Sequence, residues 1–308
     1  MNWIRIFSPA TIGNIGPGFD VLGMAVRGPG DTVFARRIRS GIRISEIQSP
    51  SPLPKDPRKN TASLAASNVL KQLRLRGGIE FRIHKGLPSG SGLGSSAASA
   101  AAGAFAANWL YGRDLSVEQL ILAATQAEAK VSGGFFADNT APALLGGATL
   151  TRCCEPLDVT RIGVIRRLRL VLVTPEVTVL TRDAREMLPA MVPLTSFVFN
   201  MANTALITAA FAKNDYSLFA RSLNDVIVEP VRSRLIPGFD QVKKNALKAG
   251  ADGMAISGSG PTVFAITDDP RKARVIEQQM VRSFHAQGVA SQSWIATVDP
   301  HGTRVIED

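Results

Sequence analysis

The stretch Leu87-Pro88-Ser89-Gly90-Ser91-Gly92-Leu93-Gly94-Ser95-Ser96-Ala97-Ala98 decides how this chain of 308 residues is read. Before it lies Ile79 to His84, a strand-like segment with Ile79, Phe81 and Ile83 on one face. Behind it Ala97 to Leu110 is rich enough in alanine to predict a helix. Glycines at 90, 92 and 94 let the backbone turn tightly and bring bare N–H groups to one side, and the helix N-terminus adds partial positive charge. Strand, glycine loop and helix in that order make a cradle for an anion. Ser95 and Ser96 are suited to cap the helix, to donate to phosphate or to ligate a hard cation.

Working outward, Ile4 to Phe7 and Ile42 to Ser45 read as strands. The proline-bearing stretch 49–57 reads as a loop and Thr61 to Leu73 as a helix. The densest basic cluster, Arg161 to Arg169, precedes a strand at Leu170 to Thr174. Helices at 197–211, 238–249 and 271–284 then alternate with strands at 254–257, 262–266 and 294–298, an α+β pattern. The length is about twice that of a usual domain, so two are expected, 1–160 and 161–308.

Composition narrows the function classes. With 45% hydrophobic and 19% charged residues the chain is not a disordered one. No apolar run approaches the roughly 18 residues of a membrane span, and the start at Met1 lacks a signal peptide's apolar core. A cytoplasmic protein with no membrane partner is the expectation. The two cysteines, Cys153 and Cys154, are adjacent and supply neither a disulfide framework nor a spaced zinc set; buried packing is their default reading. The net charge of +10 admits an anionic partner. The Arg161 to Arg169 cluster carries no interleaved aromatics, however, so no nucleic-acid partner is expected.

Several nucleotide-binding patterns are excluded. No glycine is followed by lysine, as a Walker A loop requires, and the spacing G-x-G-x-G is not the dinucleotide fingerprint. The loop instead resembles the phosphate loop of the GHMP kinases, P-x-x-x-G-L-G-S-S-A-A. Two further segments match that superfamily in order, Pro9 to Asp20 and Ile256 to Thr262. The segments 14–20, 137–143 and 229–239 are most similar to its homoserine kinase branch, and the resemblance spans essentially the whole chain.

The resemblance implies a two-domain GHMP kinase fold, with an N-terminal domain like ribosomal protein S5 domain 2 and a ferredoxin-like C-terminal domain. A homodimer is a candidate assembly. It implies phosphoryl transfer from ATP, with Mg²⁺, to the side-chain hydroxyl of L-homoserine, a step of threonine biosynthesis. Pro88 to Ala98 would hold the phosphates, and Asn60 would meet the adenine. Ser96 and Glu128 match the family's magnesium ligands. Asn14, Asp20, Asn139 and Thr181 match its substrate pocket, and Arg185 and Arg232 match the positions that clamp the α-carboxylate. Asn139, beside Asp138, stands where some relatives place a catalytic aspartate, so direct in-line attack without a dedicated strong base is the expected mechanism. One residue departs from the pattern: the family usually has histidine immediately before Ala-Asp-Asn, and this chain has Phe136. That substitution keeps open a different hydroxylated acceptor. A GHMP-like binding protein without catalysis is the other alternative, opposed by the presence of both Ser96 and Glu128.

Overall fold

The computed structural model describes residues 2–307; Met1 and Asp308, the outer ends of the two expected domains, lie outside the described residues. The chain opens with β1 (Ile4–Gly13), a long β2 (Leu22–Ile38) and β3 (Gly41–Gln48), then α1 (Thr61–Gln72) and β4 (Gly78–His84). After the glycine loop come α2 (Ser95–Leu110), α3 (Val117–Ser132) and α4 (Thr140–Leu145), then the hairpin β5 (Ala148–Cys154) and β6 (Leu157–Gly163). The second half runs β7 (Arg169–Pro175), α5 (Thr181–Glu186), α6 (Leu194–Lys213), α7 (Tyr216–Ser222), α8 (Glu229–Arg232), α9 (Phe239–Lys248), β8 (Gly253–Ile256), β9 (Val263–Thr267), α10 (Pro270–Ala286), β10 (Ser291–Val298) and β11 (Arg304–Val305).

Three apolar clusters show how the sheet is covered. Ile6, Val33, Ala35, Ile79, Phe81 and Ile83 face the alanines of α1, α2 and α3. That helix layer is tight because its residues are small: a Cβ on Gly103 of α2 would lie 2.1 Å from the Ala62 carbonyl of α1. In the second half, Val171, Val173, Val263 and Ala265 pack against α9 and α10. The third cluster joins the halves, with Ile12, Met24 and Val26 meeting Leu170, Leu172, Phe211, Phe219 and Phe264. β10 links the strands of both halves, pairing with β7 through Ser291 to Ala296 and with β2 through Thr297 and Val298. The tail returns to β1 as β11, where Ile6 faces Val305. Residue 160 falls inside β6, opposite Leu150 of β5, so the chain leaves the first set of strands only after Gly163.

Two expectations are corrected. Helix α6 carries no charged residue from Leu194 to Ala212 and is, by length and hydropathy, long enough to cross a membrane. Its packed face is polar in places. Asn200 donates to Asp225 at 2.8 Å and Asn203 to the Asn224 carbonyl at 3.1 Å, both asparagines being buried. A single-sided apolar pattern broken by such asparagines is hard to see in sequence. The cysteines also differ from the packing default: both are free and only half-buried on β5.

Candidate active site

Three segments far apart in sequence are tied together by backbone hydrogen bonds at the mouth of α2. The glycine loop is pinned to β1 by the Thr11 N–H, which donates to the Leu93 carbonyl at 3.0 Å. It is pinned to the turn after β8 by the Ser257 hydroxyl, which donates to the Gly92 carbonyl at 2.6 Å, and by the Thr262 N–H, which donates to the Ser91 carbonyl at 3.0 Å. The three loop glycines adopt φ of +67°, +81° and +64°. At Gly92 and Gly94 no side chain would fit: an added Cβ would lie 2.4 Å from the Ser257 carbonyl at one and 1.9 Å from the Thr11 hydroxyl at the other.

The loop opens onto a cleft of about 780 Å³, walled by Ser89 to Gly92 and Gly94 to Ser96. The same cleft is lined by Asn14, Asp20, Asn60, Glu128, Asp138, Asn139, Thr181, Arg185 and Arg232, so the candidate residues converge. Pro88, Leu93, Ala97 and Ala98 do not face it. Leu93, Ala97 and Ala98 are fully buried, and the Ala98 N–H is committed to the Gly94 carbonyl at 2.8 Å. Asn60 caps α1, accepting from the Ala62 N–H at 3.1 Å, and its amide donates to the Pro54 carbonyl at 3.3 Å.

The first turn of α2 meets α3 where the Ser96 hydroxyl donates to Glu128 at 3.1 Å. Burial pushes the Glu128 carboxyl up to about 7, against the opposing pull of the Ser96 hydrogen bond and the Lys85 charge. A hydroxyl and a solvent-shielded carboxylate at the edge of an anion cradle are hard oxygen donors suited to Mg²⁺. Among the described residues no cluster of three or more His, Cys, Asp or Glu forms a metal site. This geometry fits a cation that takes its remaining ligands from phosphate and water.

Lys85 is a site residue that the sequence reading missed. Almost wholly buried below the loop, it lines the cleft, pairs with Asp31, and donates to the Ser95 carbonyl at 2.7 Å and the Ser99 hydroxyl at 2.9 Å. Burial lowers its pKa and raises that of Asp31. Its position one residue after strand β4 and within reach of the loop was the only available signal.

At the other end of the cleft Asn14, at φ +69°, donates to the Gly258 carbonyl at 2.9 Å and accepts from the Asp20 N–H at 3.0 Å. Arg185 reaches from α5 to grip Asp20 through both oxygens, at 2.8 and 3.0 Å. Arg232, buried on α8, donates to the Gly258 carbonyl at 2.9 Å and the Ala184 carbonyl at 3.3 Å. Its pKa is lowered by burial and by the nearby Arg185 charge. Asp20 and Arg185 satisfy one another, and each has the chemistry to bind an ammonium or a carboxylate. The Thr181 hydroxyl lies 3.5 Å from that of Ser259, a second neighbour that the sequence reading did not name.

Between the two ends sit Asp138 and Asn139. Asn139 accepts from the Thr11 hydroxyl at 2.8 Å. Burial first, and then the Asp20 charge, push Asp138 up to about 7, while Arg185 and Asn139 pull the other way. The backbone here is packed hard against β2, since a Cβ on Gly23 would lie 1.7 Å from the Asp138 carbonyl.

Comparison with known proteins identifies the family. The GHMP kinases N terminal domain matches residues 60–147 and the GHMP kinases C terminal domain matches residues 207–286. A homoserine kinase of Arabidopsis thaliana is 45% identical over 98% of this chain and 84% of its own length. One from Chlorobium phaeobacteroides is 41% identical over 99% of this chain and all of its own. The crystal structure of homoserine kinase from Cytophaga hutchinsonii superposes with a TM-score of 0.94 at 44% identity, covering 99% of this chain and 98% of that one.

Proposed function

The chain belongs to the GHMP kinases and, among them, to the homoserine kinase family, and from that premise we propose that it transfers the γ-phosphoryl group of ATP to the side-chain hydroxyl of L-homoserine. The product, O-phospho-L-homoserine, serves threonine biosynthesis. The observation that carries this reading is the meeting, in one cleft, of a glycine loop at a helix N-terminus with a facing arginine–aspartate pair. One end suits a polyphosphate and the other an amino-acid headgroup.

The work divides by residue. The N–H groups of the loop and the N-terminus of α2 hold the phosphates, and Asn60 borders the adenine. Ser96 and Glu128 would hold Mg²⁺, which when bound neutralises charge on the transferring phosphoryl group. Asp20 exchanges Arg185 for the substrate ammonium, while Arg185 and Arg232 take the α-carboxylate. Asn14, Asn139 and Thr181 line the space between and orient the hydroxyl. Burial pushes the Asp138 carboxyl up to about 7, and this reading gives it no part as a dedicated strong base. The hydroxyl proton leaves late in a loose transition state, and positioning carries the reaction.

The reading retains two functional units, 1–160 and 161–308, though the boundary falls inside β6 (Leu157–Gly163). It also retains a cytoplasmic homodimer whose partners are small molecules. The buried Asn200–Asp225 bond favours packing of α6 within the protein over a place in a membrane. The test is ADP release from ATP and Mg²⁺ across homoserine, mevalonate, galactose and shikimate. A response to homoserine alone supports the reading, and a response to another acceptor with none to homoserine overturns the acceptor.

A further inference from the structure

Phe136 lines the cleft two residues before Asp138, a hydrocarbon ring among polar groups. Gly134 leaves room for it, since a Cβ there would lie 2.9 Å from the ring. The ring centroid is 4.2 Å from the guanidinium carbon of Arg185. Phe19 lies 5.2 Å from the same guanidinium and 5.0 Å from that of Arg232. The donor edge of Arg185 is meanwhile taken by both oxygens of Asp20. Face and edge of one guanidinium are thus held by different groups. A planar cation is attracted by an aromatic face, and a stacked arginine keeps its N–H fork free for bidentate binding. When the acceptor's ammonium claims Asp20, the edge contact is exchanged but the face contact is not.

We propose that Phe136 is a positioning residue for the acceptor: its ring holds the Arg185 guanidinium in plane while the fork passes from Asp20 to the substrate carboxylate. The proposal rests on the homoserine reading above and names the residue that keeps its carboxylate clamp preformed. Phe136 offers neither a titratable group nor a hydrogen bond, so its effect falls on acceptor binding and not on transfer.

Steady-state kinetics of Phe136→Leu and Phe136→Tyr in the full-length enzyme test this. Leucine keeps an apolar side chain and removes the π face; tyrosine restores it. Phe136→Leu should raise KM for homoserine by about 3-fold to about 30-fold, the range of a partly desolvated cation–π contact. It should leave kcat within about twofold and KM for ATP unchanged, and Phe136→Tyr should return KM to the unaltered value. An unchanged homoserine KM in Phe136→Leu, a loss confined to kcat, or failure of tyrosine to restore binding overturns the inference alone. Absence of homoserine turnover in the unaltered enzyme overturns the acceptor reading and this inference with it.

Discussion

Replacing Glu128 by glutamine should make the metal-free protein more stable at pH 8 while depriving it of its cation ligand. The carboxyl is raised from 4.5 to about 7 chiefly by burial. A carboxyl raised in the folded state binds its proton more tightly there than in the unfolded chain. Stability from this group is therefore complete below pH 4.5 and is lost as the pH rises through 7. The rise from 4.5 to about 7 corresponds to about 3 kcal/mol at full ionisation. Glutamine keeps the volume and the hydrogen bond from Ser96 but has no charge to bury, so Glu128→Gln should exceed the unaltered protein by up to about 3 kcal/mol at pH 8 and by nothing near pH 4.5. The assay is urea unfolding at both pH values in a chelating buffer. Mg²⁺ with ATP should then narrow the gap by stabilising only the protein that has the carboxylate. In turnover, half-saturating Mg²⁺ should rise as pH falls from 8 to 6 in the unaltered enzyme, because protons compete for Glu128. Equal stability at pH 8, or an equal difference at both pH values, would refute the reasoning, the second outcome marking a packing effect without ionisation.

Other substitutions follow from the same geometry. Arg185→Lys keeps the charge but loses the fork, so KM for homoserine should rise about 10-fold to 100-fold with KM for ATP unchanged, measured by steady-state kinetics. Gly92→Ala, which forces a Cβ at φ +81° to within 2.4 Å of the Ser257 carbonyl, should cost about 2–4 kcal/mol and weaken ATP binding, read by thermal unfolding and nucleotide titration. Asp138→Asn should retain turnover within about tenfold at pH 8 if no dedicated base is used; a loss of about a thousandfold would assign it that role.

The local devices were legible in the sequence and the long-range partnerships were not. Glycines 90, 92 and 94 announced a tightly turning loop, and the alanines after them announced α2, because both properties belong to the residues themselves. Strand β2 was hidden because Gly28-Pro29-Gly30 interrupts its alternation. The register there skips from Pro9–Gly30 to Ala10–Val26, an irregularity that pairing with β1 and β4 carries through. The hairpin β5–β6 went unread: no residue of β6 is buried and its pattern has no clear period. In the site, the motif matches nominated Ser96, Glu128, Asp20 and Arg185, but no pattern tells that Arg185 grips Asp20 across 165 residues or that Phe136 lies over its face. Lys85 looked like an ordinary residue at a strand end; only the fold places Asp31 and Ser99 around it.

The most direct test of the central claim is phosphorus NMR of the reaction of ATP, Mg²⁺ and L-homoserine with the purified protein. A cleft that joins a phosphate cradle to an amino-acid clamp, with the side-chain hydroxyl directed between them, predicts a stoichiometric phosphomonoester signal split by the adjacent methylene, appearing with ADP. Inorganic phosphate alone, an acyl phosphate on the carboxylate, or no consumption of ATP would contradict it.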